Sequence, residues 1–145
     1  MKLIVLLFAV LTTQSFSGPD FSKILGLANG GDAAAQIELG HLYANGIIAS
    51  GGFAEAVFWY HKAAIQGSAA AQSELGKIYY NHKGFFGKNT RSYIWLSMAD
   101  RQGNTNAQQF IKRLEATMTS KTIREAQALA AKCYESDYKD CDGGN

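Results

Sequence analysis

A pattern written in residues 31–43 is written again 36 residues later, and no other property of the chain restricts its fold so strongly. Gly31-Asp32-Ala33-Ala34-Ala35-Gln36-Ile37-Glu38-Leu39-Gly40-His41-Leu42-Tyr43 returns as Gly67-Ser68-Ala69-Ala70-Ala71-Gln72-Ser73-Glu74-Leu75-Gly76-Lys77-Ile78-Tyr79. The same offset carries Trp59, Ala63 and Gly67 onto Trp95, Ala99 and Gly103, and a third copy opens at Asn104 with Ala107-Gln108. A period of about 20–50 residues marks a chain of stacked units, each of which buries a face against its neighbour.

The local chemistry of the unit predicts a pair of helices. Gly31, Gly67 and Gly103 stand where a helix ends in a left-handed turn, and each is followed by a side-chain oxygen suited to capping the next helix: Asp32, Ser68, Asn104. Helices are therefore predicted at 33–45, 53–66, 69–82, 90–102 and 105–118, with a further one over Lys121–Tyr134 introduced by Thr119 or Ser120. Phe53, Ala56, Val57, Tyr60, Ala63 and Ala64 fall at steps of three and four and form one apolar face. The single proline, Pro19, precedes all of these helices and interrupts none. The expected fold class is all-α.

Gly40 and Gly76 are different, because glycine inside a helix costs about 1 kcal/mol relative to alanine. Close approach of a partner helix, bearing Ala56, Ala63 or Ala64, is the expected reason. Leu39, Tyr43 and Trp59, with their copies Leu75, Tyr79 and Trp95, are expected to fill the layers above and below as core rather than as carbohydrate-stacking rings.

Composition sets the remaining limits. The 145 residues suffice for one domain, and a hydrophobic content of 47% fills a core if the units stack. A formal charge of +2 creates no large field, so bulk charge implies neither nucleic acid nor an anionic membrane as partner. Residues 1–17 read as a cleavable secretory signal: Met1-Lys2 is a basic start, Leu3–Leu11 an apolar run too short to span a bilayer, and Ser15-Phe16-Ser17 offers small residues for cleavage. Cys133 and Cys141, the only cysteines, are expected to pair in an oxidising compartment, closing a short ring worth about 2–3 kcal/mol; the alternative is two free thiols.

The motif Ala-Gln-x-x-Leu-Gly-x-x-Tyr-x-x-Gly, followed by Ala-x-x-Trp and Ala-Ala-x-x-Gly, resembles the Sel1-like repeat, a relative of the tetratricopeptide repeat. It reads here as Ala35-Gln36, Leu39-Gly40, Tyr43, Gly46, Ala56, Trp59, Ala63-Ala64 and Gly67, then Ala71-Gln72, Leu75-Gly76, Tyr79, Gly84, Trp95 and Gly103. Departures lie at His82, Ile48, Ser92 and Asp100, and in the third copy at Ile111-Lys112 and Glu115. The resemblance implies a right-handed α-solenoid over 20–118 (half repeat 20–31, repeats 32–67 and 68–103, partial repeat 104–118). Residues 119–145 would then form a capping helix and a disulfide-bearing tail similar to the ends of secreted bacterial members.

The usual work of such solenoids is binding other proteins. By the same resemblance the inner wall is lined by the first helix of each pair, which places His41, Lys77 and Arg113 in one row and Asn45, Asn81 and Thr117 in a parallel one, with Tyr80 beside them. Cations and amides so arranged would hold the carboxylates and backbone of an extended protein or peptide partner; a solvated helix face is the plainer alternative. Phe85-Phe86 is a second candidate contact, and the tail, with Tyr134, Tyr138, Asp137, Asp140 and Asp142, a third.

Catalysis has thin support. Some related secreted proteins are linked with penicillin binding and β-lactamase-like activity, so a hydrolase or binder of peptidoglycan fragments is one alternative to an adaptor, and a structural subunit of an envelope assembly another. Ser136-Asp137-Tyr138-Lys139 is the one Ser-x-x-Lys, and it opens no helix. Glu38-x-x-His41 is a fragment of a metal site that becomes Glu74-x-x-Lys77 in the next copy. No catalytic residue, cofactor or metal site is predicted.

Overall fold

The computed structural model describes residues 20–47, 52–82 and 87–142, and every regular element among them is a helix. They are α1 (Phe21–Asn29), α2 (Ala33–Ala44), α3 (Phe53–Ala64), α4 (Ala69–Asn81), α5 (Lys88–Arg101), α6 (Thr105–Glu115) and α7 (Ser120–Glu135). Residues 1–17, expected to be a secretory signal, with Ile48, Gly84 and the pair Phe85-Phe86, lie outside the described residues. No helix among the described residues is long and apolar enough to cross a membrane.

The helix starts agree with the capping chemistry. Asp32 Oδ1 accepts from the Ala35 amide at 2.8 Å, Ser68 Oγ from Ala71 at 3.3 Å and Asn104 Oδ1 from Ala107 at 3.0 Å, while Thr119 caps α7 through the Thr122 amide. Gly31, Gly67 and Gly103 adopt φ of +96°, +86° and +85°, which only glycine enters without strain. The residue after each closes the same long turn, with Asp32 N donating to Leu27 O, Ser68 N to Ala63 O and Asn104 N to Ala99 O. Stop, turn and start thus recur 36 residues apart in the hydrogen bonds as in the letters.

The predicted helix ends need adjustment by a few residues. α2 stops at Ala44 because Asn45 and the left-handed Gly46 turn away, and α6 stops at Glu115, where Ala116–Met118 fold back on the Leu114 and Lys112 carbonyls. α5 begins early, at Lys88, directly after Gly87 with φ +64°.

Each helix packs mainly on its sequence neighbours, α1 on α2 through to α5 on α6; α4 also touches α6, and α7 lies on α5. Three apolar clusters result. Leu39, Leu42 and Trp59 close one with Ile24 and Ala28 of α1. Leu75, Tyr79, Ile94 and Trp95 form the central one with Tyr60 and, from α7 and the tail, Ala130, Cys133 and Cys141. Tyr93, Leu96, Leu114 and Ala126 form the third. Leu39, Leu75, Trp59, Trp95 and Tyr79 are thus core, whereas Tyr43 is only half-buried. α7 packs on α5, and its Ala130 and Cys133 reach the central cluster. One expectation changes here. Gly40 and Gly76 receive side chains, not the alanines of α3: a Cβ at Gly40 would overlap the Tyr60 ring, and one at Gly76 would lie 2.6 Å from Leu96 Cγ and 3.1 Å from the Leu96 backbone nitrogen.

Candidate functional site

His41, Lys77 and Arg113, expected to align in one row, sit on α2, α4 and α6, and none of the three is buried. Each is engaged locally. Nδ1 of His41 meets the Tyr60 hydroxyl at 3.1 Å, and the two rings stand edge to face. Lys77 pairs with Glu74 one turn back. The Arg113 guanidinium lies over the Phe110 ring at 5.4 Å, and Tyr80 stands edge-on to that same ring at 5.2 Å. Asn45 and Asn81 are exposed at the ends of α2 and α4, while the Thr117 hydroxyl donates to Leu114 O. Burial raises the Tyr60 phenol well above its usual range, so the phenol keeps its proton.

A recess in the described residues lies elsewhere. It has a volume of about 820 Å³ and is bounded by α3, α4, α5, α7 and the tail; none of His41, Asn45, Lys77, Tyr80, Asn81, Arg113 and Thr117 lines it, whereas Asp140 and Asp142 of the candidate tail contact do. Its cations come from four elements, Lys62 of α3, Arg91 of α5, Lys132 of α7 and Lys139 of the tail, and His61 of α3 stands among them. Phe58, half-exposed, and Tyr79 supply apolar shelves. Lys62 Nζ stands 5.1 Å from the Phe58 ring centre and Arg91 about 6.0 Å from that of Tyr79. Burial raises the Tyr79 phenol, opposed by the nearby Arg91 charge.

Two tail carboxylates already sit in this recess. Asp142 Oδ2 lies 3.5 Å from His61 Nε2, and Asp140 Oδ2 lies 3.7 Å from Lys132 Nζ. The hydrogen bond from His61 holds the Asp142 carboxyl below the usual carboxylate range, against a partial desolvation, and the Arg91 charge adds to it. What aims them there is the turn after α7. Asp137 and Tyr138 adopt φ of +53° and +64°, the Tyr138 amide donates to Cys133 O, and the Cys133–Cys141 disulfide closes the loop with its Cα atoms 4.5 Å apart and both cysteines buried. Ser136 belongs to this turn as well: its hydroxyl donates to Cys133 O and accepts from the Asp140 amide, so the Ser-x-x-Lys match is a turn element with its serine engaged on both sides. The tail acids are spread over separate cations, and among the described residues no three of His, Cys, Asp and Glu gather as a ligand set.

A pair of buried glutamines went unassigned by sequence reasoning. Gln36 Nε2 donates to Ala28 O at 3.0 Å while its Oε1 accepts from Gln66; Gln72 Nε2 donates to Ala64 O at 3.1 Å while its Oε1 accepts from Gln102. All four partners are shifted by 36 residues. The signal was visible as a polar residue repeated beside alanine and leucine, positions where a surface residue would be free to vary. Trp95 is fully buried with its ring edge-on to His61 at 5.4 Å, and its indole N–H has no partner among the described residues. Comparison with protein-family models, with curated proteins and with solved structures returned no match.

Proposed function

We propose that this chain is a right-handed α-solenoid of the Sel1-like kind and works as a non-catalytic module that binds a protein or peptide partner in the cell envelope or the secreted space. The observation that carries the reading is the glutamine pairing. Gln36 and Gln72 make the same two bonds to residues 36 apart, so successive helix pairs are joined by one repeated contact. Joining equivalent pairs by an equivalent contact stacks them and sets equivalent surface positions in rows. His41 and Lys77 hold equivalent positions in the two pairs so joined, Arg113 follows 36 residues on, and none of the three is buried. A disulfide between buried cysteines supports an oxidising address.

The test is a capture experiment from an envelope fraction, with mature protein and with a Lys77→Glu, Arg113→Glu double variant, both checked by circular dichroism. A partner held at stoichiometric yield by the first and lost by the folded second is the expected result. The same partner held by both variants removes the row from the binding surface.

A further inference from the structure

We propose that the recess between α3, α5 and α7 is a binding site for an acidic peptide segment, and that Asp142 of the tail is its built-in competitor. This goes beyond the row on α2, α4 and α6 and does not rest on it.

Lys62, Arg91, Lys132 and Lys139 converge there with His61 from four separate elements, whereas two carboxylates enter. Among the described residues no ion pair joins Lys62, Arg91 or Lys139 to a carboxylate, so the recess keeps positive charge with the tail in place. The chemistry of the ligand follows from what already lies in it. Asp140 and Asp142, two residues apart on one short stretch of chain, set their carboxylates against Lys132 and His61. A peptide with alternate acidic residues presents the same spacing, and the half-exposed Phe58 ring offers its intervening side chain an apolar surface. Phosphate or nucleic acid would bring charge without that alternation.

The stand-in is easily displaced. The Asp142 side chain is 63% exposed, and its contact with His61 spans 3.5 Å, the kind of water-facing pair that contributes little. What keeps it in competition is tethering: Cys141, one residue before it, is fixed in the core by the disulfide, which holds the carboxylate at high local concentration. A ligand carboxylate would take its place on His61 and gain Arg91 and Lys62.

The experiment is fluorescence anisotropy at low ionic strength, with a fluorescein-labelled hexapeptide of alternating Asp and Gly and a matched peptide of Asn and Gly. The acidic peptide is expected to bind and the amide peptide not. Arg91→Ala and Lys62→Ala should each weaken binding roughly tenfold, the loss of one charge-assisted hydrogen bond. Asp142→Asn should tighten it about two- to fivefold by removing the competitor. Lys121→Gln, on the exposed outer side of α7, should change nothing beyond the screening of one charge. Circular dichroism melts accompany each variant; if Arg91→Ala does not fold, Lys62→Ala and Asp142→Asn decide. Equal affinity for the two peptides, no binding by the native chain, or an Asp142→Asn variant that binds no tighter would each overturn the proposal.

Discussion

The stretches 32–67 and 68–103 carry one pattern, yet they are buried differently. Phe58 is 52% exposed, whereas Ile94, its equivalent 36 residues on, is fully buried. Trp59 retains 7% exposure and Trp95 none. Four of the large exposed apolar residues, Ile47, Phe53, Phe58 and Ile65, belong to the first stretch and none of those described belongs to the second. The cause is position. α4 and α5 each touch a third helix, α6 and α7 respectively, and Ala130 and Cys133 of α7 join the cluster that holds Ile94. Along α3 the corresponding face opens into the recess. Equivalent letters therefore fix how a helix pair is joined, while its neighbours fix how much of it is core.

Gly40 and Gly76 give the largest expected difference. At Gly76 an added Cβ meets Leu96 Cγ at 2.6 Å and the Leu96 backbone nitrogen at 3.1 Å, so α5 itself must shift. At Gly40 the obstacle is the Tyr60 ring alone, a side chain that has rotamers to give. Overpacking a core costs about 1–3 kcal/mol, partly offset by the roughly 1 kcal/mol alanine gains in a helix. Gly76→Ala should lose about 2–3 kcal/mol and Gly40→Ala about 1 kcal/mol or less, read as denaturation midpoints at unchanged m. Equal losses would mean that both glycines serve the same contact and that the stretches differ less than their packing implies.

The glutamines come next in size. Removing Gln72 leaves the Ala64 carbonyl without that donor at a fully buried position, a loss of about 2 kcal/mol for Gln72→Leu. Gln36 makes the same bonds at 3% exposure beside the short α1, so Gln36→Leu should cost about 1 kcal/mol. Gln108, the third copy, is exposed, and Asp100 stands where the accepting alanine would recur; Gln108→Leu should fall within about 0.5 kcal/mol of the native chain. Thermal unfolding of the three variants under one condition ranks them, and a Gln108 effect as large as that of Gln72 would break the account.

What was legible in the sequence was whatever backbone geometry demands of a residue type. A left-handed turn needs Gly31, Gly67 and Gly103, and an uncapped amide needs Asp32, Ser68 or Asn104, so the boundaries could be read directly. The cysteine pair was readable from count alone. The recess was not, because Arg91, Lys132, Lys139 and Asp142 follow no period and meet only when α7 packs on α5 and the left-handed Asp137-Tyr138 bend redirects the tail. The occupants of the glycine gaps were missed for a related reason: Tyr60 and Leu96 are equivalent in number but unlike in chemistry, so no repeated letter marks them.

That unlike pair gives the smallest and most specific prediction. Tyr60→Leu copies the second stretch into the first: Leu96 already fills this position over Gly76. At neutral pH the variant loses the hydrogen bond to His41 and some ring contact, about 1 kcal/mol. In alkali the sign reverses. Burial raises the folded-state value of the Tyr60 phenol above its unfolded value near 10, so its contribution is fully present below pH 10 and is lost as pH rises from there toward the folded value. Within that window one such phenol makes stability fall by up to about 1.4 kcal/mol per pH unit. Tyr79 and Tyr93, also raised by burial, add to the same slope and remain in the variant. Native protein should therefore lose stability steeply above pH 10 and Tyr60→Leu less steeply, so that the two denaturation midpoints converge and then cross. Absorbance at the tyrosinate band should show late-titrating phenols in the native chain, one fewer in the variant. Parallel stability curves through pH 11 would mean that water reaches the Tyr60 hydroxyl as freely as it reaches His41, and that the first stretch is looser at its centre than its contacts with Gly40 require.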